Sequence, residues 1–394
     1  MAGKILILRW AGSAYDSLGG LLELIAQEFA AQGLNVMLFG ANGDGWPQQL
    51  VQALRAGDIA FALTMSGIGT DLSIDGKLIW EAAKVPLFNW NCDHPCRFPS
   101  RHVIRNRYLL HGYVFPDHAR YNMTYLKPNG IAYAVHLGIP PRSLFPRAPL
   151  TLASRNGRIM FTKTGGDTAG IEAGWRNYGP ELRDIVFTAA EELFHSTTTD
   201  VVPTLRRIAE PRGIFLDGDN HLTIRLIREL DEYIRFKRAN LVMEAILRYP
   251  VDVFGEGWAH ISWKGAEARY LGPITWRAMV EQLPHYVGCL STNPMVDESV
   301  HDRVFFALAA GVVPIGDSNT FSRTHMPNLE PYTFRFTRER VEQAVEAVLA
   351  APAEALARTE TAWQALAVPF GMRRAAHQIA QFVAMHTLNA RWGG

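Results

Sequence analysis

The sequence predicts an α/β chain made of two doubly wound parallel-sheet domains, and three observations support this. Short apolar runs alternate with amphipathic helical stretches along most of the chain, the order that gives parallel sheets with helices on their faces. A proline-rich break between His136 and Arg158 interrupts the alternation, which then resumes. The length of 394 residues exceeds one ordinary core and suits two.

The elements follow in order. KILIL (Lys4–Leu8) reads as a buried strand and LGGLLELIAQEFAAQGL (Leu18–Leu34) as a helix with Gly33 near its stop. NVMLFG is a strand, PQQLVQALRAG a helix, DIAFALTM a third strand, and GKLIWEAAKV a helix leading into the strand PLFNW. GYVFP and IAYAVHLG close the first series. Prolines 140, 141, 146 and 149 mark a linker. RIMFT (Arg158–Thr162) opens a second series whose early part is unusually helical, and GMRRAAHQIAQFVAMHTLNARW is the final helix. The expected domains span 1–146 and 147–370, the latter with a helical insertion at about 180–249, and the helix at 371–394 packs back toward the first domain. Ligands of open α/β sheets bind at the carboxyl ends of the strands, so two such domains are expected to face each other across a ligand-binding cleft.

Composition narrows the partners. Lys plus Arg (39) balance Asp plus Glu (38), so no global field favours nucleic acid, which is not expected as a partner, and an anion must be held by local groups. There is no leader-like start and no apolar run of about 18 residues, so no integral membrane span is expected. Cys92, Cys96 and Cys289 make a poor disulfide framework and suit a reducing cytoplasm. The oligomeric state stays open.

DESVHDRVFFALAAGVVPIGD (Asp297–Asp317) places acids, a histidine and an arginine before an apolar helical run closed by Gly311. The positive end of that helix suits an anion such as a diphosphate. His301 and Arg303 would add charge-assisted bonds, and Glu298 would accept sugar or ribose hydroxyls. The plain alternative is that Asp297 caps the helix and Glu298 favours its first turn. Gly255 and Gly257 in FGEGW would let backbone approach a nucleotide, or simply turn at a strand end. TKTGGD (Thr162–Asp167) offers Lys163 and two glycines beside a diphosphate but lacks the spacing of a Walker loop.

Together these stretches resemble glycosyltransferases of the GT-B fold that use nucleotide-sugar donors, in particular the bacterial spore-maturation-type group. HLGIPPRSLFPR resembles the family's interdomain segment, VDVFGEGW its strand-and-glycine element, and YLGPITWRAMVEQLPHYVGCLSTN the helix and buried strand that follow. ESVHDRVFFALAAGVVPIGD resembles the donor-site run. Many members carry E-x7-E there; Glu298 holds the first place, but Phe306 holds the second. The resemblance implies two Rossmann-like domains and a donor, a UDP or GDP sugar, at Lys163, Gly255, Gly257, Asn293, Glu298, His301 and Arg303. It implies no cofactor and no metal, the nucleoside-diphosphate sugar being a co-substrate.

In the first domain, NWNCDHPCRFPS (Asn89–Ser100) follows a strand, and Asp93 or His94 could take a proton from an acceptor hydroxyl. The alternative is a structural turn before Pro95. Cys92, His94 and Cys96 depart from zinc-site spacing, and no fourth ligand is evident. Gly12, Gly19 and Gly20 do not fit a dinucleotide fingerprint, although Gly19 and Gly20 could face phosphates or the acceptor from a helix start. Trp90, Trp175, Tyr178 and Trp258 are candidates for stacking on a sugar or base. The expected activity is metal-independent, possibly inverting, transfer of a sugar to a hydroxyl of a glycan, protein or small molecule. A non-catalytic sugar- or nucleotide-binding protein and a nucleotide-sugar epimerase are the alternatives.

Overall fold

The computed structural model describes residues 3–392 apart from 11, 105, 127–130, 146–150, 197–199 and 218. Pro146 and Pro149 of the expected linker lie outside the described residues. The chain divides into two compact units, Met1–Gly138 with Phe370–Gly394, and Ile139–Pro369. Among the described residues no helix is long and apolar enough to cross a membrane.

In the first unit the strands are β1 (Lys4–Arg9), β2 (Val36–Gly40), β3 (Ile59–Met65), β4 (Ser73–Ile74), β5 (Lys77–Leu78), β6 (Leu87–Asn91), β7 (Leu109–Tyr113) and β8 (Ala132–Ala134). Six of them form a parallel sheet in the order β2-β1-β3-β6-β7-β8. The central strands read as continuous apolar runs because both faces are covered. Leu6, Leu8, Leu50, Ala62, Trp80 and Leu87 fill one face. On another side the final helix, Met372–Trp392, packs on the helix Ser17–Ala31, and Gln32 Nε2 donates to the Arg373 carbonyl at 3.2 Å.

The stretch GKLIWEAAKV is not one helix. β4 and β5 form an antiparallel hairpin around Asp75 and Gly76, at φ 51° and 74°. Asp-Gly suits a two-residue hairpin turn with both φ values positive, so the helix starts only at Ile79 and ends at Ala83.

In the second unit β9 (Ile159–Thr162), β10 (Val251–Phe254), β11 (Arg269–Gly272), β12 (Gly288–Ser291), β13 (Val313–Asp317) and β14 (Thr333–Phe334) form a second parallel sheet. Its order is β11-β10-β9-β12-β13-β14, so the winding reverses between β9 and β12. The helices Ala169–Arg176, Pro180–His195, Val201–Ala209 and His221–Ile246 lie between β9 and β10 in the chain. The last begins where the Asn220 side chain accepts from Leu222 N at 2.8 Å, an N-cap that satisfies one orphan donor. It buries Leu226, Ile227, Leu230 and Ile234. The helix Asp302–Ala310 ends at Gly311, whose φ of 64° is a left-handed stop. The chain then enters β13 directly, which is why an apolar helix and a buried strand adjoin in the sequence.

Two glycines position the loops at the carboxyl edge of this sheet. Gly255 and Gly257 have φ of 123° and 82°, and a Cβ on them would lie 2.2 Å from the Lys163 carbonyl oxygen and 2.3 Å from that of Gly165. By contrast, a Cβ on Gly33, at φ 76°, would meet nothing within 4 Å. Gly257→Ala should therefore cost more than Gly33→Ala, roughly 2 kcal/mol or more against about 1. Urea unfolding of the two variants checks this; equal midpoints would remove the backbone crossing as the reason for Gly257.

His111 lies in β7, and His102 Nδ1 is 2.7 Å from Tyr113 Oη. Burial pushes His102 down to about 3, helped by the charges of His111, His94 and Arg101, and pushes His111 down to about 4. Both folded values lie below the ordinary 6.5, so the fold binds fewer protons than the unfolded chain. The stability these neutral rings allow is whole above pH ~6.5 and is lost as pH falls toward 4, by up to about 1.4 kcal/mol per unit per ring. His111→Gln should lose less stability than the parent between pH 7 and 4.5 in urea titrations. An equal loss would exclude His111 as a source of acid sensitivity.

Candidate functional site

Ligands of doubly wound sheets sit beyond the carboxyl ends of the strands, where strand order reverses. In the second unit those ends are Thr162 of β9 and Ser291 of β12, followed by Lys163 and Thr292. The hydroxyls of Thr162, Ser291 and Thr292 are buried without a hydrogen-bond partner among the described residues. Lys163 is 8 % exposed, and its ammonium makes no hydrogen bond or ion pair among the described residues. Burial drives its pKa well below the usual lysine value; Arg235 and Arg303 add to this, while Asp317 and Asp231 oppose it. A buried cation without a partner, beside unsatisfied hydroxyls, is costly unless an anion completes it.

The helix Asp302–Ala310 begins at the same edge. Its entry is held by Asn293, which links three segments. Asn293 N and Nδ2 donate to Asp317 at 2.7 and 3.2 Å, and its Oδ1 accepts from His301 N at 2.7 Å. The Asn293 carboxamide thus fixes the loop. His301 Nδ1 contacts the Asp302 carboxylate, and Arg303 Nη1 lies 3.2 Å from His301 Nε2. A neutral ring satisfies both contacts, donating from Nδ1 and accepting at Nε2. Burial pushes His301 down to about 4, against the pull of Asp302. Burial opposes ionisation of Asp302, yet the His301 ring and the Arg303 charge hold it below the usual carboxylate range.

The acids before this helix lie differently from the capping alternative. His301, not Asp297, occupies the N-cap position. Asp297 accepts from Thr320 N at 2.8 Å and from Thr320 Oγ1 at 2.6 Å, so it braces the start of the next helix, Thr320–His325. Glu298 is exposed and precedes the helix by four residues, outside its first turn. Phe306 is fully buried, edge-on to Trp276 and Phe145, so the second place of E-x7-E is core. Gly255 and Gly257 admit the backbone of residues 163–165, and Trp258 Nε1 donates to the Lys163 carbonyl at 2.9 Å.

Sequence reading missed the contribution of the long helix. Asp231, Arg235 and Arg238 share one face of His221–Ile246; Asp231 and Arg235 form an ion pair at 3.5 Å. Asn240 Nδ2 donates to the Gly166 carbonyl at 3.0 Å, and the Phe236 ring fills the space beside Gly166. The helix therefore clasps the loop that carries Lys163. The available signal was charge at i, i+4 and i+7 on an otherwise apolar face. Trp90, Trp175 and Trp258 are buried and are not stacking platforms; Tyr178 is half-buried and donates to Glu229.

In the first unit, Asp93 and His94 follow β6. Asp93 is half-buried, and its carboxylate makes no hydrogen bond or ion pair among the described residues. His94 Nδ1 accepts from Cys96 N at 3.2 Å, and the ring packs on His118 and Tyr121 at 4.9 and 4.5 Å. The ring is thus part of the turn. No group of three or more His, Cys, Asp or Glu side chains that could hold a metal occurs among the described residues. A Cβ on Gly19 would lie 2.2 Å from Asp16 Oδ1, so the space at this helix start is taken by a side chain of the same loop. Arg9 holds Asp16 at 2.7 Å and Glu23 at 2.5 Å, with Tyr15 and Asp16 both left-handed. Gly20 is buried within the helix.

No protein-family model matches the chain, and no curated protein matches its sequence. Solved structures match its fold. An α-glucosyltransferase in complex with UDP and a 13-mer DNA containing a HMU base superposes with a TM-score of 0.58 at 11% identity, over 97% of this chain and 99% of that one. The DNA-modifying enzyme β-glucosyltransferase matches at 0.51 and 10% identity, over 96% and 99%. A glycosyltransferase from Rickettsia africae ESF-5 matches at 0.50 and 9%, over 98% and 99%. The first of these overturns the exclusion of nucleic acid drawn from net charge. A chain-wide balance averages over the whole surface, whereas a phosphate backbone meets only local charge. Two six-stranded parallel sheets and matches along nearly the whole chain show that the protein has the GT-B fold.

Proposed function

We propose that the protein is a glycosyltransferase that takes a sugar from a nucleoside-diphosphate sugar, with UDP as the nucleotide. The observation that carries this is the buried, unpartnered Lys163 at the switch point of the second sheet, beside the unsatisfied hydroxyls of Thr162, Ser291 and Thr292. A diphosphate would satisfy these groups together with Arg303 and the N-terminus of the 302–310 helix. The UDP-bound α-glucosyltransferase of the same fold supports the choice of nucleotide.

The chemistry follows from that placement. The acceptor oxygen attacks the anomeric carbon, the bond from that carbon to the diphosphate oxygen breaks, and the acceptor proton passes to a base. Asp93 is the better base of the two candidates, because its carboxylate is unengaged whereas the His94 ring is built into its turn. Attack assisted by one such carboxylate suits inversion. Lys163, Arg303 and the helix terminus would stabilise the departing diphosphate without calling on a metal. Exposed Glu298 would accept hydroxyls of the sugar. Nucleic acid joins the possible acceptors, since a neighbour of this fold holds DNA. The cytoplasm is our proposed location, supported by three free cysteines.

Calorimetry with UDP and UDP-glucose tests the donor site. Lys163→Ala and Arg303→Ala should each weaken UDP about ten-fold or more, the scale of a lost charge-assisted hydrogen bond. Glu298→Ala should weaken UDP-glucose while leaving UDP unchanged. Unaltered UDP affinity in the Lys163 variant would refute the site.

The lowered Lys163 pKa adds a linkage with a definite sign. A bound diphosphate favours the ammonium and raises that pKa, so binding takes up a proton and weakens as pH rises past the depressed value. Titrations in two buffers of different ionisation enthalpy should show this uptake, and Lys163→Ala should abolish it. Identical heats in both buffers would count against Lys163 as a phosphate ligand. With donor bound, product analysis separates transfer from epimerisation and from binding without turnover.

A further inference from the structure

We propose that Phe98, Arg101, Val103 and Arg107 of the first unit mark a nucleic-acid-binding surface, so that the acceptor is a nucleic acid held through its phosphates; this rests on the glycosyltransferase reading above. From His94 to Pro116 the chain contains no carboxylate, while Arg97, Arg101 and Arg107 fall inside that span. In a protein of net charge +1 this is a local excess of one sign. The segment leaves the carboxyl edge of β6, where Arg101 reaches the Ser66 carbonyl just beyond β3, and returns to the amino edge at Tyr108, whose carbonyl accepts from Leu87 N at 2.7 Å. Arg101 thus lies toward the edge that carries Asp93 and Arg107 toward the other. The nearest acid in sequence is Asp93, the residue proposed to take the acceptor proton.

Aromatic and apolar groups are interleaved with the cations. Phe98 is 46% exposed and Val103 49% exposed. The Arg101 guanidinium lies 4.4 Å from the Phe98 ring centre, and that of Arg107 lies 5.0 Å from the ring centre of Tyr108. Surfaces that track a nucleic-acid backbone combine such cations with ring faces on which bases stack. Arg101 is also held ready. Its Nη1 donates to the Ser66 carbonyl at 2.5 Å, and a Cβ on Gly67 would stand 2.4 Å from its Cδ, so glycine there leaves the arginine its place. One donor of the five is spent on that anchor, leaving others for phosphate oxygens. A neutral glycan or small-molecule acceptor would give these charges nothing to bind, whereas a phosphodiester chain offers one anion per nucleotide.

Fluorescence anisotropy with a labelled DNA duplex and a labelled single strand, over a range of salt, tests the surface. UDP calorimetry is run on the same preparations. The parent protein should bind DNA with affinity falling linearly in log–log form with salt. Arg101→Ala and Arg107→Ala should each reduce the slope by about 1 while UDP affinity stays unchanged. Phe98→Ala should weaken the single strand by roughly five-fold or more. Arg107 is exposed, so its variant tests the surface even if Arg101→Ala disturbs the loop. UDP binding without DNA binding overturns this inference alone. Loss of neither affinity nor slope in both arginine variants overturns it too, as does equal retention on anionic phospholipid vesicles. Failure to bind either UDP or DNA overturns the donor reading along with it.

Discussion

The carboxyl edge of the second sheet depends on two backbones passing closer than side chains allow. Residues 255–257, after β10, cross residues 163–165, after β9, with gaps that only glycine permits at Gly255 and Gly257. The crossing is bonded: Lys163 N donates to the Phe254 carbonyl and Gly165 N to the Glu256 carbonyl, both at 2.8 Å. Trp258 closes over it from one side and the 221–246 helix from another. Lys163 is therefore held by its own main chain, which is how a lysine can stay buried without a side-chain partner.

Buried ionisable groups collect around that crossing. Burial pushes the Asp317 carboxyl above its usual value, although Asn293 donates to it twice and Arg238 lies near. Arg238 donates to the carbonyls of Leu193, Phe194 and Ser196 and lies 4.4 Å from the ring centre of Phe336. Each of these groups has neighbours that offset its desolvation, as buried charges require. Lys163 has Asp317 and Asp231 near it but, unlike the others, no hydrogen bond or ion pair among the described residues. Structural ion-pair networks also perturb ionisation; here a buried lysine and the hydroxyls of Thr162, Ser291 and Thr292 lack partners among the described residues, the observation on which the proposed donor site rests.

The first unit shows a different economy of charge. Arg9 pairs with both Asp16 and Glu23 at the end of β1, which leaves a carboxylate in excess, and the left-handed pair Tyr15 and Asp16 puts one carboxylate over Gly19. The loop after β6 does the reverse beyond Asp93, carrying Arg97, Arg101 and Arg107 with no carboxylate between His94 and Pro116. Two loops at the same edge of one sheet thus differ in the sign of what they can attract, a distinction that cancels in the net charge of the chain.

Strand and helix order was legible in the sequence, because alternating buried runs and amphipathic stretches follow directly from what each element buries. The loops at the carboxyl edge of the second sheet were legible as places: Lys163, Asn293, His301 and Arg303 lie where β9, β12 and the 302–310 helix meet. Their individual roles were not. Asp297 braces a helix 23 residues further on, Asn293 spends its amide on Asp317, and Gly255 and Gly257 make room for backbone, all through partners distant in the chain. Arg235 and Asp231 were not singled out, since periodicity shows which residues share a face but not what that face meets. The Asp75-Gly76 hairpin was readable and went unread, being outweighed by the helical pattern behind it. Composition and periodicity determine which segments must be buried; which polar group is left without a partner depends on contacts between segments, and that emerges only when the chain is folded.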